Sequence, residues 1–159
     1  MSDPTLEDCT IFVDADACPV KDEVYRVAGR YGLPVVLVSN SWFRTPNEPW
    51  IELVVVKETG ELDVADDHIV ERTGPRDIVV TEDILLAGRV LQKGGRALNP
   101  RGKIFTENNI GDATAMRELM AGLRETGEVT GGAPPFAKED RSRFLQSLDQ
   151  IIQKVRRGK

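Results

Sequence analysis

Continuous apolar runs alternate along this chain with stretches of helical spacing, and glycine, proline or acidic residues stand between them. Ile11-Phe12-Val13 has no polar alternation, which suits a strand covered on both faces. Val20, Val24, Val27 and Tyr31 follow at helical spacing, with Pro19 suited to a first turn and Asp16 placed to cap it. Tyr31-Gly32 stops this helix, and Pro34 opens a second buried run, Val35-Val36-Leu37-Val38, ending at Ser39-Asn40. Ser41 to Pro49 reads as a loop, Ile51 to Val56 as a third strand, and Thr59-Gly60-Glu61 as a turn. Asp63 then caps a short helix to Arg72, with Val64, Ile69 and Val70 apolar and Gly74-Pro75 as terminator.

Ile78-Val79-Val80 is a fourth strand, and Thr81-Glu82-Asp83 leads directly into a helix over Ile84 to Lys93, which repeats the opening pattern. Gly94-Gly95 stops that helix, Arg96-Ala97-Leu98 reads as a fifth strand, and Asn99 to Gly102 turns the chain before Lys103-Ile104-Phe105. Ala115, Met116, Leu119, Met120 and Leu123 mark an amphipathic helix from Asn109 or Gly111 to Thr126. After a Gly/Pro loop from Gly127 to Pro135, a last helix shows Phe144, Leu148, Ile151, Ile152 and Val155 on one face. Strands alternating with helices predict an α/β fold in three layers, a mostly parallel sheet of about five strands with helices on both faces. The length of 159 residues, with no internal repeat or long linker, predicts a single domain over 1–159.

Composition narrows the function classes. A formal charge of -5 argues against coating nucleic acid through a broadly basic surface, but leaves room for a nuclease, since carboxylates that hold metal add negative charge. The apolar runs are far shorter than the roughly 20 residues that cross a bilayer, and the N-terminus lacks the basic start and apolar middle of a signal peptide. A cytoplasmic protein with no membrane partner is the expectation. Cys9 and Cys18 fall at opposite ends of the first strand, too far apart for a disulfide.

The acidic residues fall in telling places. Asp14 and Asp16 follow the first strand, Asp83 follows the fourth, and Asp63, Asp66 and Asp67 lie around the start of the short helix. Asp at a strand end or helix start is ordinary capping chemistry for any one of them. Six in three such places exceed what capping requires. If strands one and four are neighbours, Asp14 and Asp83 converge at one edge, and crowded carboxylates attract hard Mg²⁺ or Mn²⁺. A metal so held can activate water for attack on a phosphodiester. Thr81 is placed to orient a carboxylate. His68 beside two aspartates reads as a solvated surface histidine, and Cys18 as a packing residue unless the helix start lowers its thiol pKa. Arg44 beside Trp42 and Phe43, Asn99 with Arg101, and Arg141 with Arg143 are candidates to grip phosphate or stack bases, against the plainer reading of surface charge and a covered sheet edge.

The motifs Val-Asp-Ala-Asp-Ala-Cys-Pro-Val-Lys (13 to 21), Ala-Asp-Asp-His-Ile (65 to 69), Asp-Ile-Val-Val-Thr-Glu-Asp-Ile-Leu-Leu-Ala (77 to 87), Leu-Asn-Pro-Arg-Gly (98 to 102) and Asp-Arg-Ser-Arg-Phe (140 to 144) closely resemble the bacterial YaiI/YqxD family, over nearly the whole chain. That family is similar to PIN-like nuclease domains. The resemblance implies that Asp14, with or without Asp16, is the first acid, Asp83 in Thr81-Glu82-Asp83 the strand-end acid, and one of Asp63, Asp66 and Asp67 the middle acid. Helical spacing puts Asp63 and Asp67 on one face, which favours Asp67. No further acid follows within Ile84 to Gly88, a departure from many PIN-like enzymes. The first reading is therefore a nuclease acting on RNA, with Asp14, Asp67 and Asp83 as ligands of Mg²⁺ or Mn²⁺. A phosphatase of the haloacid-dehalogenase type, with Asp14 as nucleophile and Asp16 as acid/base, and a non-catalytic module binding RNA or protein are the alternatives.

Overall fold

A computed structural model describes residues 4–16, 18–57, 64–127 and 134–158. In chain order the elements are β1 (Ile11–Asp14), α1 (Lys21–Tyr31), β2 (Val35–Ser39), β3 (Ile51–Val55), α2 (Val64–Arg72), β4 (Ile78–Val80), α3 (Ile84–Gln92), β5 (Arg96–Leu98), β6 (Ile104–Phe105), α4 (Glu107–Glu125) and α5 (Lys138–Arg156). The sheet order is β3-β2-β1-β4-β5-β6, with β1 to β5 parallel and β6 antiparallel to β5. The expected three-layer α/β architecture is present. Its sheet has six strands rather than about five, because Ile104 and Phe105 fold back on β5.

Strand alternation divides the core into its two halves. Ile11, Val13, Val35, Leu37, Ile78, Val80 and Leu98 face α1 and α5, whereas Phe12, Val36, Val38, Val79 and Ala97 face α2 and α3. Both faces of β1 are therefore dry, which is why its run carries no polar alternation. α1 and α5 are tied by Tyr31, whose hydroxyl donates to Asp149 and accepts from Gln153 Nε2 at 2.8 Å. Between β5 and β6 the turn is closed by Asn99, whose Oδ1 accepts from the amides of Arg101 (3.0 Å) and Lys103 (2.9 Å).

Three local expectations change. Asp16 does not cap α1: the helix starts at Lys21 after an uncapped Val20, and Pro19 lies in the turn ahead of it. α4 starts at Glu107, earlier than its apolar spacing implied, because Thr106 and Asn109 form a capping box there. The apolar face of α4 is not a core face. Ala113 is its only buried residue, and Met116 and Leu119 are 57% and 55% exposed. α3, its packing neighbour, has nine residues against nineteen, roughly 13 Å against 28 Å, so α4 outruns its cover. The proposed cap Asp63 lies outside the described residues.

Candidate active site at the carboxyl edge of the sheet

Five parallel strands deliver their carboxyl ends to one edge, and the helices that follow them begin there. The chain runs from β1 outward to β3, then crosses back to β4, so the topological switch point lies between β1 and β4. Val13 pairs with Val80 in register, which sets Asp14 beside Thr81. Thr81 is 1% exposed, and its Oγ1 donates to Asp14 Oδ2 at 2.8 Å. The same oxygen accepts from the Asp83 amide at 2.9 Å. With a lone pair taken by that amide, the hydroxyl's single proton is aimed at Asp14. Asp83 stands at the N-cap of α3, where its Oδ1 accepts from the amides of Leu85 (2.9 Å) and Leu86 (3.3 Å). A chain of hydrogen bonds thus joins Asp14, Thr81 and Asp83 across the switch point.

The other predicted acids have different partners. Asp16 accepts from Ser39 Oγ at 2.7 Å and, with both oxygens, from the Asn40 amide at 3.2 and 3.0 Å, so it braces the end of β2. Asp67 pairs with Arg89 of α3 at 2.9 Å with both side chains about half exposed. Asp66, 6% exposed, is the acid of α2 that turns inward. His68 is not a freely solvated side chain: it is half-buried, and among the described residues its Nε2 has no hydrogen-bond partner. Burial pushes the Cys18 thiol up to about 11, against the opposing effects of the Val20 amide and Lys21, so the helix start does not activate it. Cys18 and Cys9 are free and buried, as separate packing groups.

Cations and aromatic rings border this edge. Arg44 is exposed in the loop after β2, and Lys21 Nζ lies 4.4 Å from the centre of the Phe43 ring. Arg101 and Arg141 approach Phe136 at 5.4 and 5.0 Å. Both arginines have protein partners as well. Arg101 Nη1 donates to Asp140 at 2.9 Å, and Arg141 Nη1 donates to the Pro19 carbonyl at 2.6 Å and lies 3.3 Å from Glu23. Asp140 also takes Arg143 and, at 2.9 Å, the Ala137 amide. That amide, opposed by burial and helped by the two guanidiniums, holds the Asp140 carboxyl below its ordinary value. Phe136 does not stand out in the sequence, and Asp140 does so only as the first residue of the Asp-Arg-Ser-Arg-Phe motif, with no sign that it is a hub. A phenylalanine after two prolines and an acid three residues after a helix-starting alanine are weak signals alone.

Among the described residues no three His, Cys, Asp or Glu side chains are grouped to hold a metal ion. The donor chemistry suits Mg²⁺ or Mn²⁺, which take hard carboxylate oxygens. The arrangement falls short of a finished site: Asp83 Oδ1 is held by helix amides and Asp67 by Arg89.

Fold and edge together define a doubly wound α/β protein with carboxylates at its switch point. The chain belongs to the family described as "Uncharacterized BCR, YaiI/YqxD family", which it matches over residues 12–154. It is similar to a UPF0178 protein of Paramagnetospirillum magneticum, 55% identical over 147 residues that cover 92% of this chain and 96% of the relative. A UPF0178 protein of Caulobacter vibrioides is 56% identical over 149 residues, covering 94% and 96% of the two chains. One of Parvibaculum lavamentivorans is 57% identical over 147 residues, covering 92% and 95%. No solved structure gives a significant match. Among the described residues no helix is long and apolar enough to cross a membrane.

Proposed function

We propose that this protein is a divalent-metal-dependent phosphodiesterase acting on RNA, with Asp14 and Asp83 at its centre. The observation that carries this reading is the Asp14–Thr81–Asp83 chain at the β1/β4 switch point, where open α/β sheets build their ligand sites. A structural cap accounts for Asp83 but not for Asp14, whose orientation is set by a buried hydroxyl. Mg²⁺ or Mn²⁺ held by Asp14, Asp83 and Asp67 would activate water for attack on a phosphodiester. Asp67 joins that set only by leaving Arg89, a partly exposed ion pair worth roughly 0–1 kcal/mol. Thr81 holds Asp14 at the switch point, and the rings of Phe43 and Phe136 with their cations offer stacking faces and phosphate partners for a single strand.

The phosphatase alternative needs Asp16 as acid/base, and the hydrogen bonds from Ser39 and Asn40 weigh against that role. The non-catalytic alternative draws support from Arg89, which already neutralises Asp67. Purified protein tested with Mn²⁺ on single-stranded RNA, single-stranded DNA and a phosphomonoester separates the three. Cleavage of RNA, and a Mn²⁺-dependent rise in Tm, both lost in Asp14→Asn and Asp83→Asn, are expected. Asn retains capping ability at position 83, so that variant keeps its fold. Phosphomonoester turnover with an Asp14 adduct favours the phosphatase; RNA binding without turnover favours the binding module.

A further inference from the structure

The opposite edge of the sheet, where the strands begin, holds a cationic feature that this chemistry does not use. β5 opens with Arg96, which by strand alternation shares a face with Leu98, the face covered by α5. An apolar residue would satisfy that layer. Arg96 is instead half-buried there, and among the described residues its guanidinium makes no hydrogen bond and no ion pair. Burial pulls the guanidinium below the ordinary arginine value, and the titratable group beside it, Cys9, has its thiol pushed up to about 12 by burial and is neutral. Among the described residues this partly desolvated cation has no counter-charge within ion-pair distance, which is costly unless something supplies one.

Two cavities adjoin at this side chain. One, of about 240 Å³, is lined by Arg76 and Arg96 with Pro75, Val155 and Gly158. The other, of about 250 Å³, is lined by Arg96 and Lys154 and walled by Leu91, Ile104 and Phe105. Arg76 is already oriented, because its Nε donates to the Glu7 carbonyl at 3.2 Å and its Nη2 to that of Thr5. Carbonyls orient a guanidinium without cancelling its charge. Asp77, the acid nearby in sequence, is occupied by the amides of Thr10 and Gly74, both at 2.8 Å. Glu107 lines the second cavity, where it can accept from a hydroxyl or amine of a ligand.

We propose that the adjoining cavities bind a small phosphate-bearing molecule, its phosphate between Arg76 and Arg96 and its ring or apolar body against Ile104 and Phe105. Paired guanidiniums match phosphate oxygens in a way that one point charge does not. The alternative role for Arg96 is to complement the carboxyl end of the α5 dipole, with Val155 and Gly158 close by.

The test is a titration of the full-length protein, followed by amide chemical shifts, with inorganic phosphate, adenosine monophosphate and adenosine as probes. Phosphate and the monophosphate are expected to move the amides of Gly95, Arg96 and Gly158, with the monophosphate also moving Phe105 and adenosine alone moving none. Arg96→Gln is expected to weaken the monophosphate about tenfold or more, the loss of a charge-assisted pair. Shifts confined to Asn40 and Asn99 at the other edge, or equal affinity in Arg96→Gln, would overturn the proposal. So would a wild-type protein that shows no phosphate response while Arg96→Gln merely lowers Tm, which would assign Arg96 to the helix terminus.

Discussion

Replacing Thr81 by Val removes one oxygen from the centre of the site and leaves its shape almost unchanged. The hydroxyl belongs to a residue 1% exposed and makes two bonds, to Asp14 Oδ2 at 2.8 Å and from the Asp83 amide at 2.9 Å. Without it the amide of Asp83 keeps no partner, at a cost of about 1–3 kcal/mol. The charge-assisted bond to Asp14 is stronger in principle, but Asp14 is partly exposed and water recovers much of it, leaving about 1 kcal/mol. Thr81→Val should therefore destabilise the fold by about 2–4 kcal/mol. Thr81→Ser keeps the hydroxyl and loses one methyl, a cost of about 1 kcal/mol. Urea unfolding of both variants, compared at unchanged m-value, reads the difference directly. The coupling is read from a double-mutant cycle with Asp14→Asn, where an interaction energy above about 0.5 kcal/mol is expected. A Val variant no less stable than the Ser variant, or a cycle with no coupling, would refute the idea that this hydroxyl fixes Asp14.

Three further outcomes follow from the geometry. Asp140 has its folded-state pKa depressed below 3.8, so the native state binds fewer protons than the unfolded chain in that window; its stabilisation is present above 3.8, is lost as pH falls through the lower folded value, and acid unfolding of Asp140→Asn should lack that component of the pH slope. Gly102 has φ +91, and a Cβ there would meet the Arg143 carbonyl carbon at 2.7 Å; Gly102→Ala should cost roughly 1–3 kcal/mol from strain alone and loosen α5 from the β5–β6 turn, which calorimetric Tm reports. Arg89→Ala should change stability by no more than about 1 kcal/mol while raising Mn²⁺ affinity measured by calorimetry, because it releases Asp67.

The central strands and their helices were legible because their signals are local and redundant. Ile11 to Val13, Val35 to Val38 and Ile78 to Val80 are dry on both faces, and an uninterrupted apolar run between turn residues fits few places but the middle of a covered sheet. The neighbouring of β1 and β4 is what the rules of doubly wound sheets suggest, and on that condition the sequence set Asp14 with Asp83; the direct partner of Asp14 is Thr81, while Asp83 Oδ1 holds the amides of Leu85 and Leu86. The sequence was misleading where two outcomes share one signal. Met116 and Leu119 have core spacing in a helix whose packing neighbour is too short to cover them. Asp16 precedes a helix and looked like its cap, yet its partners, Ser39 and Asn40, arrive from β2 across the sheet. Asp66 and Asp67 are adjacent in sequence, and only the packing of α2 shows that one turns inward while the other meets Arg89.

Whether Asp14 and Asp83 make a metal-dependent site for cutting phosphodiesters is tested most directly by single-turnover cleavage of end-labelled single-stranded RNA. Wild-type protein in Mn²⁺ is expected to cut, and chelation to stop it. Asp14→Asn and Asp83→Asn, each with wild-type-like Tm in the absence of metal, should lose at least about a hundredfold in rate, the scale at which one electrostatic group acts in a transition state. Cleavage that persists in either variant at the wild-type rate, or that survives removal of metal, would contradict the account.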